Sequence, residues 1–80
     1  MLTQYIQAAM RQAKYKVLPD DGSYYCEIPE FQGVWANAET LEDCREELVE
    51  VLEGWIFLHL ADNTPLPVVN GLELSIEKVS

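Results

Sequence analysis

The sequence predicts a small α+β domain: an N-terminal helix, three short strands, a long helix and a final strand, with a mostly antiparallel sheet packed on the long helix. Three observations carry that expectation. Apolar residues recur at spacings of three and four at the start of the chain and again in its middle. Between those stretches the period drops to two, with proline, aspartate and glycine marking the turns. The last residues alternate strictly between apolar and polar.

The first helix rests on Leu2, Tyr5, Ile6, Ala9, Met10 and Ala13, one apolar stripe along about three turns. Gln4, Gln7, Arg11 and Gln12 face away from it, and basic residues close it on the favourable end of the helix dipole. Tyr15 to Leu18 reads as a strand that Pro19 ends, and Asp20-Asp21-Gly22 is turn chemistry. Ser23 to Ile28 follows as the second strand of a hairpin. It places Tyr24, Cys26 and Ile28 on one face, with Tyr25 and Glu27 on the other. Pro29 and Gly33 bracket a break in the ladder. A third strand, Val34 to Ala38, separates Val34, Ala36 and Ala38 from Trp35 and Asn37.

Thr40 is suited to cap the long helix, with Asp43 placed to answer it. Leu41, Cys44, Leu48, Val51, Leu52, Trp55 and Leu58 form its expected apolar face, and Glu42, Glu46, Glu50 and Glu53 lie opposite. Asn63-Thr64-Pro65 stops it. Leu72 to Glu77 reads as the last strand, expected to return parallel to the third by a right-handed crossover.

Composition narrows the function. In 80 residues, 14 acids stand against five lysines and arginines, a formal net charge of −9. That is the wrong sign for a phosphate-neutralising surface and for an anionic bilayer, so neither direct nucleic-acid nor membrane binding is expected. The charge points either to a basic protein partner or simply to a surface that keeps the chain soluble. The charge is uneven: residues 1–18 hold Arg11, Lys14 and Lys16 and no acid, whereas residues 39–53 hold seven acids and Arg45 alone. Nothing at the N-terminus reads as a signal peptide, so a cytoplasmic protein with reduced thiols at Cys26 and Cys44 is expected. A core this small gains from oligomerisation.

No catalytic, metal or cofactor constellation stands out. His59 is the single histidine and falls on the apolar side of the long helix, a packing position. The glutamates run down one convex helix face, whereas a hard cation needs oxygens converging on a point. The cysteines lack zinc spacing, and the glycines form no phosphate loop. Two features remain unexplained by folding alone. Phe57 projects from the charged side of the long helix beside Val49, Ile56 and Leu60, a pattern of a contact with another copy. Tyr25 and Trp35 lie on the sheet face away from the core, where the first helix or a partner is expected to cover them.

The run Tyr24-Tyr25-Cys26-Glu27-Ile28-Pro29-Glu30-Phe31-Gln32-Gly33-Val34-Trp35-Ala36, followed by Thr40-Leu41-Glu42-Asp43-Cys44, resembles the HicB antitoxin family over about residues 15–70. The resemblance implies a partial RNase-H-like fold. It also implies a bacterial-type toxin–antitoxin role, in which the chain covers a HicA-type toxin, a small basic mRNA-cleaving protein. On that reading Glu30, Phe31, Trp35, Glu42, Glu46, Glu50 and Glu53 are the toxin-interface candidates. HicB relatives usually carry a C-terminal DNA-binding domain; here residues 1–80 are expected to form one domain without it. The alternative is a homo-oligomer, dimer or tetramer, without a toxin. Its interface would be built from Leu2, Tyr5, Ile6, Val49, Ile56, Phe57 and Leu60.

Overall fold

The computed structural model describes residues 2–69. Helix α1 spans Leu2–Arg11, strands β1, β2 and β3 span Lys14–Val17, Tyr24–Glu27 and Trp35–Ala38, and helix α2 spans Leu41–Ala61. The strands form an antiparallel sheet in the order β1-β2-β3. The α+β order of the sequence reading is therefore the fold. The predicted last strand at 72–77 lies outside the described residues.

The register sets the two faces of the sheet. Tyr15, Cys26 and Ala36 stand opposite one another, as do Val17, Tyr24 and Ala38, and these point toward α2. Lys14, Glu27 and Trp35, and Lys16, Tyr25 and Asn37, form the outer face. The β1–β2 turn closes with Gly22 at φ 70° and the Asp21 carboxylate accepting from the Ser23 amide at 3.0 Å. Hydrogen bonding from the Ser23 side chain first, and from its amide second, holds the Asp21 carboxyl below its ordinary range. The β2–β3 loop is tied from Ile28 to Val34 by three backbone hydrogen bonds of 2.9–3.2 Å, with Gly33 at φ 88°.

That tied loop folds Phe31 inward. Its ring meets Tyr5 edge-on at 6.2 Å and Trp55 at 4.9 Å, and it is 1% exposed. Phe31 is thus a core residue joining loop, α1 and α2, not the exposed toxin contact that its loop position suggested. Burying a ring of this size stabilises the fold by about 2–3 kcal/mol, more than an exposed loop position offers.

α2 starts where the sequence places it. The Thr40 hydroxyl accepts from the Asp43 amide at 3.1 Å, and Glu42 and Asp43 occupy the positive end of the helix dipole. It ends in a Schellman motif. Asn63 takes the left-handed conformation at φ 57°, its amide donates to Leu60, and Thr64 donates to His59 at 2.8 Å.

The buried stripe of α2 is Cys44, Leu48, Leu52 and Ile56. It differs from the expected face: Leu41, Val51 and Leu58 are exposed. The reason is α1, which packs on α2 and not on the outer face of the sheet as the sequence suggested. It shifts the buried arc toward Ile56 and leaves the opposite flank in solvent. Ile56 and Tyr5, expected at an oligomer interface, are therefore core residues. The Tyr5 hydroxyl donates to the Pro67 carbonyl, which satisfies the polar end of an otherwise buried ring. Ala8 and Ala9 are also buried on α1, and their small side chains permit close approach of the helix.

Candidate protein-binding surface

Three exposed regions flank this core. The first is the acidic side of α2. Glu42, Glu46 and Glu50 are exposed and line a shallow depression with Arg45 and Val49. Val49 thus sits among the carboxylates, apart from the other apolar interface candidates. Arg45 also lies near enough to the Tyr15 phenol to favour its ionised form, against the stronger opposing effect of burial.

The second is an apolar groove of about 150 Å³ between α1 and α2, lined by Leu2, Ile6, Ile56, Phe57 and Leu60 with Glu53 among them. Five of the seven predicted oligomer candidates converge here. Phe57 is 71% exposed, the most exposed large apolar side chain among the described residues. Glu53 lines this groove and not the depression that holds Glu42, Glu46 and Glu50.

The third is the outer face of the sheet, which α1 leaves bare. Tyr25 and Trp35 stack there with ring centres 6.0 Å apart, and the Lys16 ammonium lies 5.1 Å from the Tyr25 ring. The Tyr25 hydroxyl donates to the Glu27 carboxylate at 2.9 Å, which raises the Tyr25 pKa because the carboxylate holds the proton on the phenol. Trp35 shares a groove with Glu47 and Glu50 of α2. Glu30 is exposed at the β2–β3 loop, apart from that groove. Sequence reasoning counted Glu47 and Lys16 in the charge asymmetry but assigned neither to a site. The signal for Lys16 was its register opposite Tyr25, which depends on where the hairpin closes. For Glu47 there was none, because its neighbour Trp35 is twelve positions away in sequence.

Inside, Cys26 and Cys44 are fully buried with their sulfurs 2.7 Å apart. Burial first, and the hydrogen bond to Cys44 second, push the Cys26 thiol up to about 12. A thiol so held is a poor nucleophile at neutral pH. His59 stacks on Trp55 at 3.6 Å and its Nδ1 donates to the Trp55 carbonyl at 2.9 Å, consistent with a packing role. The Trp55 indole in turn donates to the Gln32 carbonyl at 3.1 Å. No group of three or more metal-ligating side chains stands together among the described residues, and none of their helices is long and apolar enough to cross a membrane.

Residues 4–67 match the UPF0150-like family model. The chain belongs to the UPF0150-like family. The UPF0150 protein ssl0259 of Synechocystis sp. (strain ATCC 27184 / PCC 6803 / Kazusa) is 37% identical over 59 residues, covering 74% of this chain and 77% of that protein. The crystal structure of TTHA0281 from Thermus thermophilus superposes with a TM-score of 0.88 at 31% identity, covering 96% of this chain and 95% of the other. The UPF0150-like match takes in α1 from Gln4 onward, β1, β2 and β3, α2 and the segment to Pro67, so the described core and the exposed regions lie almost wholly within the family's span.

Proposed function

We propose that this UPF0150-like chain is a cytoplasmic, non-enzymatic binding protein of the HicB antitoxin type, which captures and silences a small basic HicA-type mRNA-cleaving toxin. The observation that carries the reading is the exposed acidic side of α2, where Glu42, Glu46 and Glu50 stand together around one arginine. Such a surface repels nucleic acid and steers a basic, RNA-binding protein toward itself. Trp35, exposed beside Glu47 and Glu50, supplies the aromatic anchor that protein interfaces favour at their centres.

The test is co-expression with the product of the nearest small basic neighbouring gene, followed by affinity capture, light scattering and an RNA-cleavage assay. The expected result is a stable complex in which cleavage is suppressed. A toxin that cleaves RNA undiminished in the presence of excess chain refutes the proposal.

A second reading has its own observation. The α1–α2 groove carries both a projecting Phe57 and an apolar recess, so the same patch offers knob and hole. Such a patch would suit an isologous contact between two copies. Self-association through this groove is compatible with toxin capture on the other surfaces. Without a toxin it leaves a homo-oligomeric scaffold or regulator.

A further inference from the structure

Across the outer face of the sheet the side chains form a cross-strand ladder. Lys16 of β1, Tyr25 of β2 and Trp35 of β3 follow one another, cation on ring and ring on ring. Tyr25 is flanked on both sides. Trp35 is the last rung among the described residues, is 53% exposed, and forms a wall of a groove of about 450 Å³ beside β3. The facing wall is α2, which contributes Glu47, Glu50 and Val51. Glu47 and Glu50 are three residues apart on the helix and so share one side of it. No lysine, arginine or histidine is among the lining residues.

We propose that this groove receives an arginine side chain of a basic partner protein, with the guanidinium laid on the Trp35 indole and its N–H groups donating to Glu47 and Glu50. The inference rests on the reading of the chain as a binder of a basic protein and narrows it to the anchoring residue on each side. An arginine continues the ladder by one more cation. Its planar group stacks on an aromatic face and forks to carboxylates at the same time, and it sheds water more easily than an ammonium. Lysine satisfies only the point charge. A divalent cation is a poor occupant, since two carboxylates on one exposed helix leave most of its coordination sphere unfilled. A nucleic acid brings phosphates against both glutamates.

The experiment is an NMR titration of the uniformly ¹⁵N-labelled full chain with acetyl-Gly-Arg-Gly-amide, its lysine and citrulline counterparts, and a short oligouridylate. The indole N–H resonance of Trp35, identified with Trp35→Phe, and the amides of Glu47 and Glu50 are followed. The expected result is saturable shifts with the arginine peptide. Affinity should be lower for lysine, fall on the order of tenfold or more for the neutral citrulline peptide, and fall similarly in a Glu47→Gln/Glu50→Gln double variant. Equal shifts with arginine and citrulline overturn the assignment, and so does a stronger response at Trp35 to the oligouridylate. The same variants, with Trp35→Ala, are then carried into capture of the HicA-type toxin, their folding checked by thermal melts. If wild type and variants capture it equally, the groove assignment fails and the antitoxin reading stands. If the arginine peptide titrates the groove but the toxin is not captured, the antitoxin reading fails and the groove assignment stands.

Discussion

Cys26 and Phe31 show how burial sets the behaviour of single residues here. The Cys26 thiol is held protonated by its surroundings up to about 12, whereas an unfolded chain releases that proton near 8.5. Between those values the folded state binds more protons than the unfolded one. Stability from this source is therefore complete below about pH 8.5 and declines as pH rises through the alkaline range. Denaturant melts at pH 7.5 and 10.5 should show a lower midpoint at the higher pH, and Cys26→Ala should flatten that difference. The same burial predicts that Ellman's reagent at pH 8 leaves both thiols unmodified in the native chain and modifies both in denaturant. Phe31 carries the other residue-scale prediction. Phe31→Ala removes a ring wedged between Tyr5 and Trp55 and should cost about 3–5 kcal/mol, against roughly 1 kcal/mol for Phe31→Leu. Chemical denaturation of both variants measures this. A loss within 0.5 kcal/mol for alanine would return Phe31 to the surface.

At the scale of the element, α2 is delimited by side chains that the sequence displays openly. Thr40 caps it and Asn63 turns the chain out of it. Thr40→Ala should lose about 1 kcal/mol, because the Asp43 amide is left without its acceptor, while Thr40→Ser should retain most of the cap. Gly54 lies within the helix, without positive φ, and an added methyl group there meets nothing within 4 Å. Gly54→Ala should accordingly stabilise the domain by about 0.5–1 kcal/mol, read as a raised melting temperature, since alanine loses less backbone freedom than glycine in a helix.

At the scale of the whole molecule the charges are segregated, and two surfaces follow from where α1 packs. By lying against α2 it builds the Phe57 groove, and by leaving the outer sheet it leaves Tyr25 half-buried and Trp35 exposed. If the groove joins two copies, Phe57→Glu should convert the oligomer to a monomer by sedimentation without unfolding it, since Phe57 is exposed in the single chain. Capture of a basic partner by the acidic side of α2 should be steered by charge. Its association rate should fall as salt rises above the roughly 0.15 M at which screening already acts within about 8 Å, with a smaller change in dissociation rate.

Local physics made much of this fold legible in the amino-acid order. The period of two in Tyr24–Ile28 and Val34–Ala38, the turn at Asp21-Gly22, the cap at Thr40 and the stop at Asn63 each depend on neighbours a few positions apart. A linear sequence displays such relations directly. The charge segregation was equally plain, since it is a matter of counting. The fate of Phe31, Tyr5 and Ile56 was not legible. An apolar residue on a loop or helix flank reads as exposed until it is known which element covers it, and here that element was α1, placed by contacts between distant parts of the chain. The placing of Trp35 in one groove with Glu47 and Glu50 belongs to the same class. It arises because α2 lies across the sheet and brings its acidic flank beside β3, a relation between a strand and a helix that only tertiary packing creates.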